Sequence, residues 1–69
     1  MIKVRVDALT IREKVEEEFA KGETEVEVNF GRYVDGLVIR KYVEMFNLLG
    51  YKVRDVDERK LKFVVTKIT

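Results

Sequence analysis

The chain has 69 residues, 39% of them charged, and a formal net charge of +1. A dedicated nucleic-acid binder is usually far more basic, and no apolar run here approaches the ~18 residues that cross a membrane. There is no cysteine and no histidine, which excludes disulfides and thiolate chemistry and removes the usual nitrogen ligand of zinc and haem sites.

Residues 2–6, Ile-Lys-Val-Arg-Val, alternate apolar with basic, the period of a half-buried strand. Ile2, Val4 and Val6 are predicted to face the core, with Lys3 and Arg5 facing out. The same alternation lacks the continuous apolar segment of a signal peptide, so a soluble, cytoplasmic protein is expected. Asp7-Ala8-Leu9 turns the chain. Thr10-Ile11-Arg12-Glu13 fits a capping box, in which the Thr hydroxyl takes the third amide and Glu13 reaches back to the cap amide. Residues 11–21 are predicted helical, with Ile11, Val15 and Phe19 on one stripe and Gly22 as the stop. In the next strand, residues 23–30, Val26, Val28 and Phe30 point in while Glu25, Glu27 and Asn29 point out.

Residues 31–50 organise the rest. They read as a turn from Gly31 to Gly36, a helix over 37–49 and a stop at Gly50. Asp35 is placed to cap the helix N-terminus, and Gly50 to take the left-handed conformation that ends it. Nine of the thirteen residues from 37 to 49 are apolar. The polar strip is narrow, Arg40, Glu44 and Asn47, with Lys41 to one side. The apolar arc spans roughly 240°, where a helix lying on one sheet needs about 100°. Leu37, Val38, Met45 and Leu48 lie away from Ile39 and Val43, so the surplus predicts a homodimer through this second helix. The alternative is that the first helix covers the excess within one copy.

After Gly50, residues 51–56 form a third strand whose alternation slips at Asp55, predicting a bulge or an early end. Asp57-Glu58-Arg59 turns into a last strand over 60–68. Leu61, Phe63 and Val65 share one face of it and Val64 makes the other partly apolar, which predicts a central position. The whole reads as a single domain, 1–69: an α+β two-layer sandwich in the order β-α-β-α-β-β. Its mixed four-stranded sheet has strand order 1-2-4-3, with right-handed crossovers and both helices on one face. The alternative is a ferredoxin-like fold, which needs a hairpin between the helices, where residues 31–36 leave little room. A chain this short buries only about 60% of its unfolded surface, so its core needs support from ion pairs or self-association. The excess of Lys, Arg and Glu, with no Pro, Trp, Ser or Gln, is the profile of a thermostable hyperthermophile protein or of a de novo engineered scaffold.

This order, with Gly22-Glu23-Thr24-Glu25-Val26-Glu27-Val28, the Gly31-Arg32-Tyr33-Val34 turn and the apolar helix carrying Val38, resembles the Alba chromatin proteins. Their superfold is shared by the C-terminal domain of translation initiation factor three and by the SirA/TusA sulfur carriers. The likeness lies in the middle of the chain and implies a small nucleic-acid-binding module with DNA or RNA as partner. Alba proteins carry a lysine pair after the first strand, where this chain has Asp7-Ala8-Leu9. They also carry a long basic hairpin, here cut to Asp57-Glu58-Arg59. The sulfur carriers work through a cysteine in a Cys-Pro-x-Pro motif, and this chain has neither residue type, which excludes persulfide chemistry.

Candidate contacts follow from the alternation. The face of the sheet away from the core carries Lys3, Arg5, Lys52, Arg54 and Lys62 against Glu25 and Glu27, a set that tracks phosphates or else pairs across strands for a few tenths of a kcal/mol each. It has no aromatic stacking platform. Arg32 lies in a strand-to-helix loop near a helix N-terminus, which favours an anion, and Tyr33 is a candidate to stack on a base. The alternative is that Gly31 permits the turn and Tyr33 covers the core edge. The Gly-x-x-x-x-Gly spacing lacks the Lys-Ser/Thr of a phosphate loop. Glu13, Glu16, Glu17 and Glu18 form a solvated acidic face, because carboxylate catalysis needs a pair held across a pocket. With no Ser, Cys or His there is no nucleophile–base pair. The expectation is a protein that is not an enzyme and uses no cofactor and no metal, with a nucleic acid and a second copy of itself as partners. The alternative is a structural or protein-interaction domain with no ligand.

Overall fold

The computed structural model describes residues 1–6, 10–30 and 35–68; residues 7–9, 31–34 and 69, with the turns expected at 7–9 and 31–36 falling wholly or partly among them, lie outside the described residues. In chain order the elements are β1 (Ile2–Val6), α1 (Ile11–Ala20), β2 (Glu25–Phe30), α2 (Gly36–Leu48), β3 (Lys52–Asp57) and β4 (Lys62–Thr66). The sheet order is β1-β2-β4-β3, as the apolar character of β4 on both faces predicts. β1 runs parallel to β2, and β4 is antiparallel to both of its neighbours.

The register sorts the side chains. Val4, Val28 and Phe63 are aligned across three strands, as are Ile2, Val26, Val65 and Val53 across all four. This face meets Ile11, Val15 and Phe19 of α1 and Ile39 and Phe46 of α2 in one core, so both helices cover the same side of the sheet. Six aromatic rings thread that core as a continuous chain. Phe19 of α1 stacks 5.1 Å from Tyr51, which lies 6.0 Å from Phe46 of α2. Phe46 lies 6.0 Å from Phe63 of β4, Phe63 is 6.1 Å from Phe30 of β2, and Phe30 is 6.0 Å from Tyr42 on α2. Tilted pairs at these separations add to the stabilisation from buried area, and they tie the two helices together through Tyr51.

Both helices end as their glycines require. Gly22 (φ 102°) and Gly50 (φ 93°) adopt the left-handed conformation. Gly22 N–H donates to the Phe19 carbonyl at 3.0 Å and Glu23 N–H to the Glu18 carbonyl at 3.1 Å. Gly50 N–H donates to Asn47 at 3.1 Å and Tyr51 N–H to Phe46 at 3.0 Å, so each helix closes in a Schellman motif. At the other end of α2, Asp35 is extended and its Oδ1 accepts from the Leu37 N–H at 2.9 Å. Thr10 departs from its predicted role. Its backbone sits at φ −111°, ψ 5°, away from the extended conformation that aims a capping hydroxyl, and its side chain makes no capping hydrogen bond.

The slip at Asp55 is a bulge. Arg54 pairs with Val64 and Asp57 with Lys62, leaving two residues opposite one, and Asp55 takes φ 54°. The following turn is held by Asp57, whose Oδ1 accepts from the N–H groups of Arg59 and Lys60 at 3.0 Å each. Leu61 then accepts from the Phe30 N–H at 3.0 Å, and Glu58 accepts from Arg40 of α2 at 2.7 Å. The turn is thereby fastened to both the end of β2 and the start of α2.

Candidate nucleic-acid interface on the open sheet face

Side chains alternate, so the strands that bury their valines under the helices present their polar residues on the opposite, uncovered face. The register brings these into rows. Lys3, Glu27, Val64 and Arg54 form one row; Arg5, Asn29, Lys62 and Asp57 form the next; Glu25, Thr66 and Lys52 form a third. The five basic strand residues expected here, Lys3, Arg5, Lys52, Arg54 and Lys62, therefore all lie on this face. Arg32 and Tyr33 lie outside the described residues.

The face divides into two unlike halves. Towards β3, Arg54 reaches across β4 and places Nη2 2.6 Å and Nε 3.2 Å from Glu25 Oε2, and its Nη1 donates to Asp55. Thr66 Oγ1 donates to the same Glu25 oxygen at 3.4 Å. Arg54 holds the Glu25 carboxylate below its ordinary range, and the carboxylates in turn hold the guanidinium firmly charged. This basic residue is used within the chain, as cross-strand pairing predicts. Lys52 stands apart at the far end of the sheet edge.

Towards β1 the arrangement differs. Glu27 is expected to point out, and it does lie on the open face, yet it is only 9% exposed. Asn29 Nδ2 donates to its Oε2 at 3.1 Å, and the ammonium groups of Lys3 and Lys62 stand 3.9 Å from Oε2 and Oε1 respectively. The Asn29 amide does most to hold Glu27 below the ordinary carboxylate range, helped by Lys62 and Lys3 and opposed by burial. Around this fixed carboxylate the surface sinks into a hollow of about 430 Å³, lined by Lys3, Arg5, Lys60 and Lys62 with Asn29 and the edge of Phe30. The hollow thus holds four cations and the Glu27 carboxylate. Asp57, which pairs with Lys62 across the strands, is also held below its ordinary range, by the Lys60 backbone N–H and in part by the charges of Lys60 and Lys62. Among the described residues, neither Arg5 nor Lys60 has a carboxylate within ion-pair distance.

Lys60 is the residue that sequence reading missed. The alternation that sends Lys62 outward applies equally two residues earlier, but Lys60 sits in a turn, and only the fold shows that the turn bends back over the β2–β4 side. A second hollow, of about 370 Å³, shares Glu27, Lys60 and Lys62 with the first and continues over Val64 to Met1 and Val56. Val64 is buried despite lying on the open side, in keeping with the central place of β4.

On the opposite layer, the four residues expected at a dimer interface separate. Val38 and Met45 are half-buried, Met45 against the core, whereas Leu37 is 61% and Leu48 81% exposed. At 100° per residue Leu37 and Leu48 fall within roughly 20° of one another, between Glu44 and Lys41. Lys41 thus interrupts the apolar arc and detaches these two leucines from the buried side of α2.

Among the described residues no three His, Cys, Asp or Glu side chains stand together as a metal site, and no helix is long and apolar enough to cross a membrane. Comparison with protein-family models, with curated proteins and with solved structures finds no match to this chain.

Proposed function

We propose that the chain is a small non-enzymatic module that binds the phosphate backbone of a nucleic acid on the open face of its sheet. The observation that carries this reading is the hollow at β1–β2–β4, where Lys3, Arg5, Lys60 and Lys62 line one concavity with the Glu27 carboxylate among them. A concave patch in which cations outnumber carboxylates four to one focuses its field on an anion far better than a net charge of +1 suggests. Glu27 serves the cations as a fixed spacer: it keeps two lysines close together without neutralising the other two. Among the described residues the face offers no exposed aromatic ring, so the favoured ligand is a duplex backbone rather than a stacked single strand.

The test is fluorescence anisotropy with random-sequence duplex DNA and RNA across a salt series. Contact with three or four phosphates gives a slope of log K against log salt of about −3. Arg5→Glu and Lys60→Glu abolish the binding, while Arg54→Ala, which removes a cation already committed to Glu25, leaves it within about twofold. Absence of any anisotropy change with the parent protein at low salt overturns the proposal and leaves a domain whose charges serve folding alone.

A second reading, self-association through α2, is favoured by the exposure of Leu37 and Leu48. It is compatible with the first, since α2 and the open face lie on opposite sides of the sheet.

A further inference from the structure

We propose that the outward face of α2 is a self-complementary seam that pairs antiparallel with α2 of a second copy of this chain. The inference rests on the self-association reading and gives it a partner, an orientation and a register. Leu37, Lys41, Glu44 and Leu48 follow one another at spacings of four, three and four residues, the rhythm of a helix–helix seam. All four are exposed. The order of these residues is palindromic in chemistry. A two-fold axis passing between Lys41 and Glu44 sets Leu37 against the partner's Leu48 and Lys41 against the partner's Glu44, and then repeats both pairs in reverse.

Charge decides the orientation. Antiparallel pairing gives two opposite-charge contacts flanked by one leucine contact at each end of the seam. Parallel in-register pairing sets lysine on lysine and glutamate on glutamate. Within one copy both charges are uncommitted: among the described residues neither Lys41 nor Glu44 forms an ion pair. The neighbouring cation, Arg40, is already held by Glu58 at 2.7 Å and does not compete for Glu44. Half-buried Val38 and Met45, flanking Lys41, widen the apolar margin of the seam on one side, while Arg40 and Asn47 supply its polar rim on the other. The seam lies on the far side of α2 from Ile39 and Phe46, which pack on the sheet, so pairing leaves both open sheet faces uncovered.

The experiment is sedimentation velocity and equilibrium from micromolar to millimolar protein, without nucleic acid, on the parent and three variants. The parent is expected to shift from 8.2 kDa towards twice that mass with rising concentration. Leu48→Lys and Lys41→Glu are each expected to weaken association at least about tenfold, the second because it sets like charges face to face. The double exchange Lys41→Glu with Glu44→Lys restores every cross-helix pair in the antiparallel register and is expected to return association to within about twofold of the parent. All these positions are exposed, and circular dichroism melts confirm that each variant is folded before it is compared. A parent that stays at 8.2 kDa throughout overturns the self-association reading itself. A parent that dimerises but tolerates Lys41→Glu, or is not restored by the exchange, retains self-association and overturns the antiparallel seam.

Discussion

Glu27 shows how far a single position can depart from its pattern. It alternates with valines as an outward residue, yet it is enclosed by Lys3 on β1, Lys62 on β4 and Asn29 on its own strand. Its folded-state pKa lies below the ordinary 4.5, so it binds a proton more weakly folded than unfolded. The stability it contributes is therefore complete above that ordinary value and fades as pH falls through the lower folded value. Glu25, held by Arg54, and Asp57, held by two backbone N–H groups, act in the same direction. Glu27→Gln is expected to lower the urea midpoint at neutral pH and to flatten its decline in acid. A variant with the parent's full acid dependence assigns that dependence to Glu25 and Asp57 instead. Arg54→Ala tests the other half of the face: it removes the clamp on Glu25, so acid sensitivity near the carboxylate range decreases.

At the scale of elements, α2 is the one with defined locks at both ends, an Asp35 cap and a Schellman closure at Gly50. Asp35→Ala removes the acceptor for the Leu37 N–H and is expected to cost about 1 kcal/mol, which lowers Tm by about 4–8 °C in a domain of this size. A calorimetric scan measures it directly. An unchanged Tm means that water serves that amide equally well. β3 is defined differently, by an irregularity. Its bulge at Asp55 leaves an exposed strand at the sheet edge, where twist and charge discourage pairing with another sheet. The same irregularity changes which side the later residues of β3 present, so that Asp57 joins the open-face row of Arg5, Asn29 and Lys62.

The whole molecule depends on a small core. Domains of this length are stable by roughly 3–10 kcal/mol, at 0.05–0.15 kcal/mol per residue. Phe46 is fully buried and touches two other rings, so Phe46→Ala, at about 3–5 kcal/mol, is expected to consume most or all of that margin. A urea titration followed by far-ultraviolet circular dichroism reads the loss; a variant as stable as the parent means the neighbouring rings close the gap. A second copy that binds only the folded state stabilises it by mass action, which is the physical gain that the proposed self-association would bring to a core of this size.

Much of this architecture was legible one element at a time. Period-two runs marked the strands, the Ile11-Val15-Phe19 stripe and the Asp35 and Gly50 signals marked the helices, and the two-faced apolar character of β4 placed it inside the sheet. These are local signals, each set by backbone geometry over a few residues. The capping box at Thr10 is the local signal that failed, because its side chain works only from a backbone conformation that the fold does not give it. The candidate site was half legible: alternation put Lys3, Arg5, Lys52, Arg54 and Lys62 on one face. Strand order then decided that Arg54 is spent on Glu25, that Glu27 is enclosed, and that Lys60 returns from a turn to complete the hollow. Charge pairing depends on distance in space, and residues separated along the chain acquire that distance only when β1 and β4 close on β2 from opposite sides.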